Sequence, residues 1–398
     1  MTALRVLPPV HSPVTPGAIL AGAGACLDGA AKARAAVGAA LTEYLGPKAI
    51  LLTDSGTSAL ALALRAGAAR APGPVALPAY SCYDVATAAD AAEVDVLLYD
   101  LDPATLTPDA AALRAVLERG ARTVVITHLY GVPVEPAAVN ALLAGYDAVL
   151  VEDAAQGAGA RHGGRPLGSY GSLAVLSFGR GKGITAGRGG ALLANDPDGL
   201  ASLARAAERL GPGRTSASEP VALLAQWLLA RPALYGIPAS LPFLGLGDTI
   251  YRPPHHPRGM STFALGVLSR SLASAEREAE VRRANAARLL AATSRSGGSV
   301  TAVRSPTAAM PGYLRLPVLV SQQRRERFRS GAARHLGIMP GYPGTLAELR
   351  RFTRARNPAE VFPGARELVT SLFTLPTHGL LSQGDVAELE RWIVEPNG

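Results

Sequence analysis

The chain has 398 residues, of which 48% are hydrophobic and 18% charged, with 43 glycines and 31 prolines. This composition supports a buried core in two or three domains, at roughly 150 residues per domain, and excludes a disordered or collagen-like chain. The net charge of +8 permits anionic ligands, but the arginines are scattered and aromatic residues make up only 5%, which argues against a nucleic-acid-binding protein.

The N-terminal residues 1–17 contain several prolines and lack the apolar segment of a secretory signal peptide. Cys26 and Cys82 are the two cysteines of the chain. Two cysteines exclude a disulfide scaffold and a four-cysteine zinc site, and we expect no metal site. A reduced, cytoplasmic setting is therefore the expectation.

Short apolar runs alternate with amphipathic segments through the first half of the chain. Such alternation predicts a mostly parallel sheet covered by helices on both faces. We assign residues 1–255 to a large domain built on this sheet. The predicted strands are 49–52, 74–77, 94–99, 123–127, 148–151, 173–178 and 190–194, and the predicted helices between them include 58–70, 107–119 and 135–145.

An apolar insert at about 211–250 stands out within this domain. Its most apolar part, 221–247, is interrupted by Arg231, Pro232 and Pro238. About 20 uninterrupted apolar residues are needed to span a membrane, so a transmembrane segment is not expected. We interpret the stretch as a buried or interface helix pair, with contact to a lipid surface or an apolar substrate as the alternative.

The remaining residues, 256–398, are predicted to form a smaller α+β domain. A long Ala-, Arg- and Glu-rich helix is expected over 261–295, and an Arg-dense helix over 322–335. Strand-like pieces at 300–303 and 313–319 lie between them, and a final helix begins near Ser382.

Polar residues directly follow two of the predicted strands, where ligands bind in parallel sheets. The segment Thr53–Leu60 leads from a strand into a helix and includes Gly56, Thr57 and Ser58. Backbone N–H groups at such a helix start can bind a phosphate, although an ordinary helix cap explains the segment equally well. Asp153, at the end of another strand, can likewise cap a helix or face a ligand cation.

The glycine-rich segment 179–190 carries a stronger signal. It contains Lys182, one of only three lysines, whereas 36 residues are arginine. A nucleotide-binding P-loop would need glycine at position 176, which is Leu176, and a helix after the lysine. A lysine that forms a Schiff base fits better, because arginine does not give up its proton to become a nucleophile.

The three segments together match the needs of pyridoxal 5'-phosphate. That cofactor requires a lysine for its aldehyde, an acid beside its pyridine nitrogen and a cradle for its phosphate. Lys182, Asp153 and the turn at 55–58 could supply these parts.

The motifs resemble those of the DegT/DnrJ/StrS-type aminotransferases, a pyridoxal-phosphate family of the aspartate-aminotransferase fold (fold type I). The resemblance extends from about Pro8 to the C-terminus and is densest over 50–195. The combination of Glu-Asp-Ala-Ala-Gln, then Ser-Phe with a lysine four residues after the Phe, then a Gly-x-Gly-Gly turn is highly specific. The matching segments are 55–60, 77–82, 94–106, 128–131, 151–160, 168–182, 183–193 and 375–382.

The resemblance implies a role for each residue of the site. Lys182 would form the Schiff base and shuttle the proton, and Asp153 would pair with the pyridinium nitrogen. The remaining cofactor-binding residues would be Gly56, Thr57, Ser58 and Ser177 at the phosphate, Gln156 near the 3-oxygen of the ring, and Cys82 where the family usually has a ring-stacking aromatic residue.

The resemblance also implies a homodimeric aminotransferase of sugar biosynthesis. The amino donor would be L-glutamate, and the acceptor a keto-sugar, often nucleotide-linked. The sequence departs from the family at Cys82, at Arg188 in the glycine turn, and at 255–259, where an Asn-x-Arg segment is usual. Two alternatives stay open, namely another pyridoxal-phosphate reaction on a more hydrophobic substrate (lyase, replacement or acyl transfer) and a non-catalytic regulatory protein.

Overall fold

The fold is taken from a computed structural model that describes residues 5–241, 245, 247–329 and 333–395. Their strands are β1 Ala49–Thr53, β2 Val75–Pro78, β3 Val96–Tyr99, β4 Thr123–Thr127, β5 Val149–Asp153, β6 Arg161–His162, β7 Arg165–Pro166, β8 Leu173–Ser177, β9 Gly190–Ala194, β10 Val300–Ala302, β11 Ala309–Met310, β12 Leu316–Val320, β13 Met339–Pro340 and β14 Leu372–Leu375. Their α-helices are α1 Pro16–Asp28, α2 Ala30–Leu45, α3 Gly56–Arg70, α4 Tyr83–Ala92, α5 Ala110–Glu118, α6 Pro136–Leu143, α7 Pro197–Ala207, α8 Ser218–Leu229, α9 Pro232–Ala239, α10 Thr262–Ser271, α11 Ala275–Thr293, α12 Gln322–Arg329, α13 Pro363–Ser371 and α14 Gln383–Val394.

The main sheet has seven strands in the order β1-β9-β8-β5-β4-β2-β3. Strands β8, β5, β4, β2 and β3 run parallel, and β9 runs antiparallel between β1 and β8. Every residue of β2, β3, β4, β5 and β9 is buried, as expected for continuous apolar runs covered on both faces. The predicted fold class and all seven predicted strands are confirmed.

A second sheet, of four strands in the order β10-β12-β14-β13, forms the core of the C-terminal part. All its pairings are antiparallel, and α11 and α14 pack beside it around Leu289, Val318 and Leu389. The single long helix expected over 261–295 is instead α10 and α11, separated by a 3-10 turn at Leu272–Ser274.

Helix α10 packs against α1 and α2 in an apolar cluster on one face of the main sheet. Gly22 lets α1 approach α10 closely because it has no side chain: a Cβ there would lie 2.7 Å from the ring of Phe263 on α10. The division of the chain at residues 255 and 256 stays a prediction.

The apolar insert forms the helix pair α8 and α9, ending before residues 242–244 and 246, which lie outside the described part. Leu223 is buried, whereas Val221, Leu224 and Leu228 on the same helix are exposed. None of the helices in the described residues is long and apolar enough to cross a membrane.

Candidate active site

The predicted site residues converge on one edge of the main sheet. Thr53 at the end of β1 and Ser177 at the end of β8 both pair with Gly190. Asp153 ends β5, the parallel neighbour of β8, opposite Val175. The sequence argument that strand-end residues would meet therefore holds for these three segments.

The turn before α3 is built around Ser55 and Gly56. The Ser55 hydroxyl accepts a hydrogen bond from the Ser58 N–H at 3.0 Å and caps the helix. Gly56 packs directly on Ser177, because a Cβ at position 56 would lie 2.7 Å from the Ser177 Cβ. Among the described residues, nothing hydrogen-bonds to the hydroxyls of Thr57 or Ser177, so both can bind ligand oxygens at this helix start.

Asp153 is a buried carboxylate at the centre of this edge. Its Oδ1 accepts from the Ala155 N–H at 3.1 Å, and its Oδ2 lies 3.5 Å from the Thr127 hydroxyl. Burial raises the pKa of Asp153, while the Ala155 N–H and the charge of Lys182 act in the opposite direction. Within the described residues no cation forms an ion pair with it, so a cationic ligand atom would be its natural partner.

Lys182 is half-buried in the loop between β8 and β9. The loop is fixed on both sides of the lysine: the Gly181 N–H donates to Ser12 Oγ at 2.7 Å, and a Cβ on Gly183 would lie 2.8 Å from that of Ala158. In the part of the chain described, the Lys182 ammonium has no hydrogen-bond or salt-bridge partner.

Cys82 lies close to both charged groups of the site. Burial raises the pKa of its thiol to about 12, with Asp84 adding to the rise and Lys182 opposing it. A neutral thiol is a poor nucleophile, so Cys82 is better suited to line the pocket than to attack a substrate.

Gln156 is held by a cluster of three tyrosines that the sequence did not group together, although Tyr80 is a candidate, with Tyr83, to replace the aromatic residue usual at Cys82. Its Oε1 accepts from the Tyr130 N–H at 3.2 Å, and its Nε2 donates to the Tyr342 hydroxyl at 3.0 Å. The Tyr80 hydroxyl accepts from the Tyr342 N–H at 2.8 Å and lies 3.4 Å from the Tyr130 hydroxyl. The three tyrosines are too far apart in sequence for any local pattern to group them, although Tyr130 belongs to the His-Leu-Tyr-Gly motif.

Segment 255–259 contacts the turn before α3 of its own chain. His255 Nε2 lies 3.0 Å from Asp54 Oδ2 and 3.4 Å from Ser58 Oγ. The Asp54 N–H donates to the Arg258 carbonyl at 2.7 Å, which ties the segment to the strand end. The replacement of Asn-x-Arg by this sequence thus brings an imidazole beside Ser58.

Residues 31–391 match the model of the DegT/DnrJ/EryC1/StrS aminotransferase family. The chain belongs to this family. The resemblance found in the motifs is thereby confirmed, and it covers all the strands from β1 to β14.

Curated relatives match over part of their length. L-glutamine:scyllo-inosose aminotransferase of Streptomyces griseus is 33% identical over 183 residues, which are 46% of this chain and 42% of that protein. GDP-perosamine synthase of Caulobacter vibrioides is 32% identical over 159 residues, which are 40% of this chain and 43% of that protein. These matches span less than half the length of either relative.

Solved structures match over nearly the whole chain. 3-Amino-5-hydroxybenzoic acid synthase superposes with a TM-score of 0.77 over 96% of this chain and 97% of that one, at 20% identity. AtS13 from Actinomadura melliaura gives a TM-score of 0.74 over 98% of each chain, at 23% identity. The fold of this chain is therefore that of the fold type I aminotransferases.

Proposed function

We propose that this protein is a pyridoxal-phosphate-dependent aminotransferase that moves an amino group from an amino-acid donor to a keto-sugar. The observation that carries the proposal is Lys182, an unpaired lysine in a glycine-bounded loop within electrostatic reach of the unpaired, buried Asp153. Family membership over residues 31–391 supports the same chemistry.

The residues at the sheet edge suit this cofactor. When bound, pyridoxal phosphate withdraws electrons from the bond that breaks at the donor α-carbon. The cradle that Gly56 and Ser177 form, with the free hydroxyl of Thr57 at a helix start, suits a phosphate. Asp153 suits a protonated ring nitrogen, because a buried carboxylate is stabilised by a cation beside it.

Lys182 has two tasks in this proposal. Its Nζ first holds the cofactor, and once the donor amine has taken its place, the free Nζ removes the proton from the donor α-carbon. The amino group leaves the donor as a 2-oxo acid forms, and the acceptor gains it in exchange for its carbonyl oxygen. Gln156 and Tyr342, already hydrogen-bonded to each other, would fix the wall of the pocket beside Cys82.

The names of the relatives support the substrate class. The Streptomyces griseus protein is named for L-glutamine and a cyclic ketone, and the Caulobacter vibrioides protein for a nucleotide-linked amino sugar. We infer L-glutamate or L-glutamine as the donor and a cyclic keto-sugar, free or nucleotide-linked, as the acceptor. We also infer a cytoplasmic homodimer.

An absorbance spectrum of the pyridoxal-phosphate-loaded protein, before and after addition of L-glutamate or L-glutamine, tests the proposal. The visible absorbance band of the lysine-linked cofactor should disappear, and a band of the amino form should appear at shorter wavelength, near the ultraviolet. Lys182→Ala should lose both the band and all turnover while remaining folded. Lys48→Ala is the matched control, because Lys48 is exposed and precedes β1, at the opposite end of that strand from Thr53 and the candidate site.

Two results would contradict the proposal. Full turnover in Lys182→Ala would remove the lysine from the mechanism. A band that no amino acid alters would favour a pyridoxal-phosphate reaction other than transamination, and a protein that takes up no cofactor would favour a non-catalytic role.

A further inference from the structure

The guanidinium of Arg315 has no anionic partner among the described residues. It lies just before β12 and is half-buried, and its Nε is shielded from solvent without a hydrogen-bond partner. Among the described residues, no carboxylate or carbonyl accepts from any of its nitrogens. A shielded guanidinium N–H without an acceptor is destabilising, so its presence calls for an explanation.

The position of Arg315 is fixed relative to the candidate site. The Leu314 N–H donates to the Tyr130 carbonyl at 2.9 Å, and the Gly312 N–H donates to the Gly131 carbonyl at 2.9 Å. The guanidinium lies over the ring of Tyr130, 5.3 Å from its centroid. A cation held against an aromatic face in this way keeps its N–H edge free for a planar anion.

Tyr130 connects this guanidinium to the predicted catalytic residues. Its N–H binds Gln156, and its ring stacks on Tyr342 at 5.8 Å between centroids. Burial raises the pKa of Tyr342, Cys82 adds to the rise, and the positive charge of Arg315 opposes it. Lys182 opposes the rise in the pKa of Cys82, so the charges of Arg315 and Lys182 act on the same group of side chains.

We propose that Arg315 is a specificity-determining residue that binds the α-carboxylate of the amino donor. This inference rests on the proposed function, because only an amino-acid donor brings that carboxylate. The planar guanidinium matches a carboxylate in a two-bond fork, which would orient the donor amine toward Lys182. The observed stacking on Tyr130 orders the guanidinium in advance of binding.

The test combines a non-reacting ligand with the first half-reaction. Calorimetry with glutarate, a dicarboxylate without an amine, should give a dissociation constant for the cofactor-loaded protein that rises about 10- to 100-fold in Arg315→Gln. The donor concentration at half-maximal rate should rise by a similar factor. Arg315→Lys keeps the positive charge but cannot form both hydrogen bonds of the guanidinium fork. Its glutarate dissociation constant should lie between those of the unsubstituted protein and Arg315→Gln.

Two controls separate binding from structure. Arg304→Gln changes an exposed arginine eleven residues earlier in the chain and should leave glutarate binding unchanged. Conversion of the cofactor by benzylamine, which has no carboxylate, should change less than about twofold in Arg315→Gln, and the melting temperature should not fall, because no hydrogen bond is lost.

The outcomes distinguish this inference from the proposed function. Glutarate binding that depends on Arg315 in a protein that no amino acid converts would support the anion site and contradict transamination. Unchanged glutarate affinity in Arg315→Gln, or no binding to the unsubstituted protein, would overturn the inference. Loss of affinity for GDP with glutarate binding retained would overturn the donor assignment and favour the phosphates of a nucleotide-linked acceptor.

Discussion

Glu152 and Asp153 are adjacent carboxylates that β5 directs to different environments, since successive side chains of a strand point to opposite faces. Asp153 faces the candidate site. Glu152 is fully buried and accepts from the N–H groups of Gly168 at 2.6 Å, Tyr170 at 2.8 Å and Gly171 at 3.2 Å. It therefore organises the loop that leads into β8.

His128 completes this arrangement. Its Nδ1 accepts from the Val134 N–H at 3.0 Å, so its Nε2 carries the proton and donates to Glu152 at 2.9 Å. Both side chains are fully buried. Burial raises the pKa of Glu152, but the hydrogen bonds from His128, Gly168 and Tyr170 outweigh it, and the pKa lies below its ordinary value of 4.5.

Replacing Glu152 by glutamine should lower the free energy of unfolding by about 2–4 kcal/mol at pH 7, because an amide NH2 would face N–H donors in a buried site. A carboxylate with a lowered folded-state pKa stabilises the protein above pH 4.5, and this contribution is lost as the pH falls through the folded-state value. Urea unfolding of the cofactor-free protein should therefore show a difference in unfolding free energy between the two proteins that is constant from pH 7 to about pH 5 and narrows as the pH falls below 4.5. The exposed Glu135→Gln is the control, and a gap that does not change with pH would contradict the assignment.

Individual residues differ in whether the sequence alone indicates that they belong to the candidate site. Lys182 and Asp153 can be singled out from the sequence because each belongs to a short motif with a chemical meaning. Arg315 and Tyr342 cannot, because only tertiary contacts bring them near these residues: segment 312–314 pairs with residues 130–131, and the Tyr342 N–H donates to the Tyr80 hydroxyl. Nothing local to either residue distinguishes it from other arginines and tyrosines of the chain.

At the scale of elements, the turn between β1 and α3 shows why glycine is needed where a strand leads directly into a helix beside two other strands. A Cβ at Gly56 would meet the Cβ of Ser177, and one at Gly190 would lie 2.5 Å from the Ser55 carbonyl oxygen. Two glycines thus let β1, β8 and β9 converge behind the start of the helix. The spacing of Gly56 in its motif was visible in the sequence, but its partner across the sheet was not.

Gly56→Ala should lower the free energy of unfolding by about 1–3 kcal/mol, since the backbone or Ser177 must move to admit the methyl group. It should also weaken pyridoxal-phosphate binding at least tenfold, because the displaced atoms are those of the proposed phosphate cradle. Gly38→Ala in α2 is the matched control: nothing lies within 4 Å of its added Cβ, so the change should be neutral or stabilising by about 0.5–1 kcal/mol. Urea unfolding and an absorbance titration measure both effects, and equal behaviour of the two variants would refute the packing argument.

Strands and helices differed in how well their pattern predicted them. Buried runs such as 123–127 coincide with β4, because a strand covered on both faces is uniformly apolar. The expected helix 261–295 is broken at Leu272–Ser274, where α10 ends its packing on α1 and α11 turns toward the second sheet. The Ala- and Arg-rich sequence is helical on both sides of the break, and the break itself, Leu-Ala-Ser, contains no proline or glycine to mark it.

At the scale of the whole molecule, α11 joins the two sheets across the candidate site. Buried Arg282 donates from Nε to the Gly312 carbonyl at 2.7 Å and from a terminal nitrogen to the Ala158 carbonyl at 2.8 Å. The loop that follows Asp153 is thereby tied to the segment that carries Arg315. Gly159, with φ of +75°, allows the close approach, since a Cβ there would lie 2.1 Å from that of Ala279.

Arg282→Met should therefore lower both stability and cofactor affinity. Methionine fills similar space but leaves two carbonyl groups without donors, which should lower the free energy of unfolding by about 2–4 kcal/mol. Burial lowers the pKa of Arg282 to about 10, which leaves the side chain charged at pH 7, and methionine cannot replace the two hydrogen bonds that this charged group donates. Denaturant unfolding and a pyridoxal-phosphate titration measure the two losses.

Arg283→Met provides the comparison that isolates the role of Arg282. The Arg283 side chain is 19% exposed, donates to the Gly159 carbonyl at 2.8 Å and pairs with Glu276 at 3.2 Å. Its loss should lower the free energy of unfolding by about 1 kcal/mol or less, because water can reach the groups it leaves. If the two variants were equally stable, the buried guanidinium would not be what holds the loop after Asp153 to the second sheet. Position 282 would then have no more influence on the site than the partly exposed Arg283 beside it.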